Sequence, residues 1–75
     1  MKVDGARIRL ARVELGLTLR SLATECGMDK GSLSRVETGQ LGMRPETMRR
    51  VAERLGLPLA DVSPDVARLR REVAA

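Results

Sequence analysis

The sequence contains no histidine, no phenylalanine, tyrosine or tryptophan, and only one cysteine, Cys26. Without imidazoles and with a single thiol, the chain lacks the usual general bases, activated nucleophiles and transition-metal ligands, so neither a metal site nor a cofactor is expected. One cysteine cannot form an internal disulfide. The missing aromatics count against single-stranded RNA or DNA, whose bases are held by stacking on such rings, and leave duplex nucleic acid as the better candidate. No apolar run approaches the ~18 residues that a membrane span needs. The amino end shows no secretory signal, so a cytoplasmic protein without a membrane partner is expected. Carboxylates are the catalytic resource that remains, but nothing in the spacing of Glu25, Glu37 and Glu53 brings them to one cleft, and no enzyme is expected.

What the chain does carry is basic charge. Its 75 residues suffice for one domain with a modest core. A composition of 43% hydrophobic and 32% charged residues is that of a globular chain. Fourteen Lys+Arg against ten Asp+Glu give a net charge of +4 and a sequence pI near 10.6, a balance that suits a polyanionic partner.

Apolar residues recur at helical spacing between short Gly- or Pro-bearing breaks, which predicts an all-α chain. The first helix runs from an Asp4 cap to about Leu15, with Ile8, Ala11 and Leu15 inward, and ends at Gly16. Thr18 caps a second helix with Leu19, Leu22, Ala23 and Cys26 on its apolar side, closed by Gly27. Asp29 caps a third, from Lys30 to about Thr38, and its charge favours the positive end of the helix dipole. Pro45 opens a fourth helix through Leu55, with Met48, Val51, Ala52 and Leu55 inward. A short fifth helix is expected near Pro58 to Val62, and Ser63-Pro64-Asp65 reads as the start of a further, C-terminal one.

The segment from Leu19 to Thr38 carries the functional signal. Ala23 keeps the second helix thin where the third crosses it, Gly27 permits a sharp turn, and Met28, Leu33 and Val36 seat the third helix on the core. This is a helix-turn-helix pattern, although an ordinary helical hairpin uses similar parts. With Leu33 and Val36 inward, Lys30, Gly31, Ser34 and Arg35 share the outer face. A long Arg, a Lys, a hydroxyl and a glycine that allows close approach suit base edges and phosphates; a plain solvated face is the other reading.

These features resemble the lambda-repressor/Cro-like (XRE-type) helix-turn-helix family over roughly residues 8–62. The likeness is carried by Ile8-Arg-Leu-Ala-Arg12, Gly16-Leu-Thr18, Leu22-Ala23, Gly27-Met-Asp29, Leu33-Ser-Arg-Val-Glu37, Gly39 and Val51-Ala-Glu-Arg-Leu-Gly56-Leu. It implies a compact five-helix DNA-binding domain over 1–62, here with a short additional C-terminal helix over 63–75. It also implies a homodimeric transcriptional regulator, a repressor, on an approximately palindromic operator. Base reading then falls on Lys30, Gly31, Ser34 and Arg35. Phosphate contacts fall at Thr18, Arg20, Thr38, Arg44 and Arg49. The sequence departs from the family at Leu19, where a Gln is frequent, and in the neutral Gln40-Leu-Gly-Met43 stretch. The resemblance further implies an ion pair between Arg12 and Glu37.

Cys26 and the methionines Met28, Met43 and Met48 are expected in the core. Leu57, Leu59, Val62, Val66, Leu69 and Val73 are the candidates for a dimer contact. The last three form a stripe too short for a self-standing coiled coil, which could pack on its own domain or on a partner's. An alternative keeps the fold as a protein-interaction module, such as an antitoxin or adaptor, with a protein partner in place of DNA.

Overall fold

A helix begins where the first unpaired backbone N–H groups find an acceptor, and four side chains supply one here. In the computed structural model, which describes residues 1–74, Asp4 accepts from the Arg7 amide at 3.0 Å, Thr18 from Ser21 at 3.0 Å and Asp29 from Ser32 at 2.8 Å. These open α1 (Gly5–Glu14), α2 (Leu19–Glu25) and α3 (Lys30–Glu37). Pro45 fills the first turn of α4 (Pro45–Leu55), followed by a single turn, α5 (Leu59–Val62), and by α6 (Pro64–Ala74), where the Ser63 hydroxyl accepts from the Val66 amide. No strand occurs among the described residues, and no helix there is long and apolar enough to cross a membrane.

Helix α1 is the hub: it packs on α3, α4 and α5, while α2 packs on α3 and α5 on α6. Ile8, Leu22, Leu33, Val36, Met48, Val51 and Val62 are fully buried at the centre, and Ala11, Ala23, Cys26, Met43, Ala52 and Leu55 close the core around them. Ala23 lets α2 and α3 approach, and Gly27, at φ +70°, makes the left-handed residue of the turn between them. Burial pushes the Cys26 thiol above its ordinary pKa, which marks it as a core hydrophobe and not a reactive thiolate.

Two sequence expectations fail for a geometric reason. Leu15, expected inward, is 53% exposed. Helix α1 ends one residue before it, and past the turn it is Leu17 that packs on the core. Val62, a candidate for a dimer contact, is fully buried in its own chain, and its carbonyl accepts from the Asp4 amide at 2.8 Å. It has no surface to offer a second subunit.

Periodicity does not single out Gly5, yet α1 begins against the end of α3 there. A Cβ at this position would meet the Val36 carbonyl oxygen and stand 2.9 Å from Glu37 Cα, so no side chain fits. Further along α1, the same two helices are bonded. Arg12 Nε and Nη2 donate to the two carboxylate oxygens of Glu37 at 2.7 and 3.0 Å, and Nη1 donates to the Leu17 carbonyl at 2.9 Å. The two side chains are 13% and 4% exposed, so the pair is nearly dry and its lone pairs and protons must be satisfied internally. The hydrogen bond to Glu37 outweighs desolvation and raises the Arg12 pKa further, so the cation persists at every accessible pH.

Removing one partner strands the other. Arg12→Met is therefore expected to lower unfolding free energy by about 3–5 kcal/mol. The double variant Arg12→Met/Glu37→Leu should recover much of that loss in urea denaturation followed by circular dichroism. A single variant within ~0.5 kcal/mol of wild type would show that the pair contributes no more than an exposed one.

Candidate nucleic-acid interface

Helix α3 divides cleanly into two sides. Leu33, Val36 and Glu37 are buried, while Lys30, Gly31, Ser34, Arg35 and Thr38 are exposed and lie along one outward stripe. The stripe holds no acid and no large apolar residue. Its start is rigidly capped: besides accepting from the Ser32 amide, Asp29 takes the Ser32 hydroxyl at 2.8 Å. Bonds to the backbone and hydroxyl of Ser32 hold the Asp29 carboxyl below the usual carboxylate range, and the Arg35 charge adds to the effect. A Cβ on Gly31 would lie 3.2 Å from Asp29 Oδ1 and 3.6 Å from Arg35 Nη2. The Arg35 guanidinium therefore leans back over the bare Gly31 backbone toward the cap.

Polar residues from neighbouring elements flank the stripe on both sides. Arg9, Arg12 and Leu19 line a notch together with Ser34, Glu37 and Thr38. The start of α2, with exposed Thr18 and Arg20, thus stands beside the second half of α3. The Thr18 oxygen is occupied by the Ser21 amide, which leaves the hydroxyl proton free to be donated outward. On the other side, Arg44 and Thr47 line a cleft with Asp29, Ser32 and the α2–α3 turn.

Of the expected phosphate positions, Thr18, Arg20, Arg44 and Arg49 are exposed with a polar group facing solvent. Thr38 is exposed, but its hydroxyl donates to the Ser34 and Arg35 carbonyls at 3.1 and 3.2 Å, so it has no proton to offer a phosphate. Arg49 is exposed on α4, one position before Arg50. Arg50 stands beside the α2–α3 turn, with Nη1 3.5 Å from where a Cβ on Gly27 would sit. Sequence reasoning misses both Arg50 and Arg9. Arg9 sits one turn from Arg12, which is the signal that could have found it, whereas only the fold brings Arg50 to the α2–α3 turn.

Leu41 is exposed in the loop before α4, but Met43 is buried there and its amide donates to the Met1 carbonyl at 3.0 Å. Gly42 faces that same carbonyl too closely for a side chain. This stretch, neutral in sequence, is therefore an anchor for the amino end. The remaining candidates are the apolar ones: Leu57 and Leu59 are half-buried against the core, Val66 is half-buried, and Leu69 and Val73 are exposed.

The family model for the helix-turn-helix domain matches residues 5–64, which takes in α1 through α5. The chain belongs to the XRE-type helix-turn-helix family. It is 37% identical over 59 residues to the HTH-type transcriptional repressor RghR of Bacillus subtilis (strain 168), a match covering 77% of this chain and 44% of that protein. The chain thus spans less than half the length of this curated relative. Among solved structures it is similar to the clp gene regulator ClgR from Corynebacterium glutamicum, with a TM-score of 0.73 and 32% identity over 93% of this chain and 81% of that one. It is also similar to the restriction-modification controller protein C.AhdI from Aeromonas hydrophila, with a TM-score of 0.72 and 28% identity over 77% and 88% of the two chains.

The Asp29 cap yields a pH test. Because the folded-state pKa is lowered, the stability supplied by the charged carboxylate is complete above the unfolded value of about 4 and is lost as pH falls through the lowered one. Asn also caps helices but does not titrate. The difference in urea midpoint between wild type and Asp29→Asn should be constant from pH 5 to 7 and change as pH falls below about 4. Parallel pH curves for the two proteins would contradict the lowered pKa.

Proposed function

We propose that the chain is a transcriptional regulator, acting as a repressor, that binds double-stranded DNA by laying α3 in the major groove. The observation that carries this reading is the outward stripe of Lys30, Gly31, Ser34 and Arg35 on a helix whose opposite side is fully buried through Leu33 and Val36. A major groove admits one helix and presents O6 and N7 of guanine as paired acceptors, which a guanidinium meets with two parallel bonds. Arg35 is assigned that role, Ser34 a second base contact and Lys30 a base or phosphate. Gly31 allows close approach. Thr18 and Arg20 on one side, with Arg9, and Arg44 and Arg50 on the other, bind phosphates and fix register.

The regulatory part of the reading is supported by the similarity to a transcriptional repressor, a clp gene regulator and a restriction-modification controller protein. Residues 1–62 act as the DNA-binding unit and 63–75 as a helical extension, of which Ala75 lies outside the described residues. Two copies bind an approximately palindromic operator with their α3 helices about 34 Å apart. The protein acts in the cytoplasm by binding, without chemistry or a cofactor.

In-vitro selection from a random duplex pool tests this directly. An enriched, two-fold symmetric site is expected, with affinity falling steeply as salt rises. Arg35→Ala should lose about 1–3 kcal/mol of discrimination at one position in each half-site. Arg44→Ala should weaken all duplexes alike and flatten the salt dependence by about one ion. If no sequence is enriched and binding is insensitive to salt, the reading fails and a protein-interaction module takes its place.

A further inference from the structure

Helix α6 is held at one end only. Ser63 is fully buried, its hydroxyl and carbonyl accept from the Val66 and Ala67 amides, and the first turn rests on α5. From Arg68 onward every described residue is exposed, and no residue of the helix is buried. An eleven-residue helix in water is marginal unless an apolar face is covered. This one has such a face: Val66, Leu69 and Val73 line one open groove with Arg70 and Ala74, and Leu69 and Val73 are 58% and 79% exposed.

The spacing and charges of this face identify what covers it. Val66, Leu69 and Val73 occupy a, d and a positions of a heptad. Val at a with Leu at d is the pattern of two parallel strands. The charges flanking the stripe differ in sign. Asp65 and Glu72 fall at g, with Arg68 beside them at 3.4 Å from Asp65 and 4.0 Å from Glu72, while Arg70 falls at e on the other side. In a parallel pair the g residue of one helix meets the e residue of the next heptad on its partner, so Asp65 faces Arg70 twice by symmetry. In an antiparallel pair g faces g and e faces e, setting Asp65 against Glu72 and Arg70 against Arg70. The first arrangement is attractive and the second repulsive.

We infer that α6 pairs side by side and in parallel with α6 of a second copy of this chain, through Val66, Leu69 and Val73, with Asp65 of each copy against Arg70 of the other. Parallel pairing puts both helix-turn-helix units at the same end of the paired helices, where one face of a duplex can reach both. The inference rests on the dimer of the proposed function and names its seam.

Sedimentation equilibrium of the full chain tests it without DNA. Wild type should dimerise, and Leu69→Ser should weaken dimerisation by at least about tenfold. Asp65→Lys and Arg70→Glu should each do the same alone, because each sets like charges together. Mixed in equal amounts, the two variants should form a heterodimer of near wild-type affinity. The lysine introduced in one copy then faces the glutamate introduced in the other, and the remaining Asp65 faces the remaining Arg70. Unchanged circular dichroism of α1–α5 and a retained melting transition establish that the variants fold. A dimer that survives Leu69→Ser overturns the seam but leaves the dimer standing. Asp65→Lys that strengthens association, or a mixture that fails to pair, overturns the parallel orientation. A wild-type chain that stays monomeric at millimolar concentration overturns the seam and the dimer together.

Discussion

The arrangement of this fold hinges on one guanidinium. Apolar contacts between helices are non-directional and tolerate sliding, so a small core of aliphatic side chains does not by itself choose how α3 sits on α1. The Arg12–Glu37 pair is directional. Two hydrogen bonds fix the last residue of α3 to the second half of α1, and a third ties the same guanidinium to the Leu17 carbonyl between α1 and α2. A buried ion pair returns little net energy on formation, because desolvation of both charges offsets their attraction. Its effect is on geometry: it sets the rotation of α3 and therefore which side chains of that helix face away from the core.

Much of the fold was legible because its signals are local. The caps at Asp4, Thr18 and Asp29 and the turn glycine Gly27 act within three or four residues, so each can be read in place. The inward residues of α2 through α4 follow from helical period. The contacts that cross the fold are not legible in this way. Gly5 is required by the backbone of α3 more than thirty positions later, and Gly42 by the carbonyl of Met1. Period alone places Leu15 inward, because period extends past the point where a helix stops. Val62 fits an interface stripe as well as a core, and only the packing of α1 on α5 decides between them. The Arg12–Glu37 pair came from family resemblance, since nothing local links residues twenty-five positions apart.

The same distinction holds for charge. A net charge of +4 says little about where cations are available. Arg12 is buried against Glu37, Arg54 is paired with Glu25, and Arg68 lies between Asp65 and Glu72. What remains beside α3 is a smaller group: Arg9, Arg20, Lys30 and Arg35, with Arg44 and Arg50 across the turn. Arg50 illustrates how finely this is set. It differs from Arg49 by one position, about 100° of helix rotation, so the two guanidiniums leave α4 in different directions.

The outward stripe of α3 also has an evolutionary meaning. Ser34, Lys30 and Arg35 take no part in the core, so exchanging them leaves the scaffold's stability almost untouched. On the proposed reading, in which this stripe meets the base edges, specificity and foldability are nearly independent variables, and a duplicated copy acquires a new target through a few substitutions without first passing through an unstable ancestor. Gly31 is the exception. A methyl group there would press on the Asp29 carboxylate and touch Arg35 at once, so it is the one position in the stripe where a change of target also disturbs the cap that starts the helix.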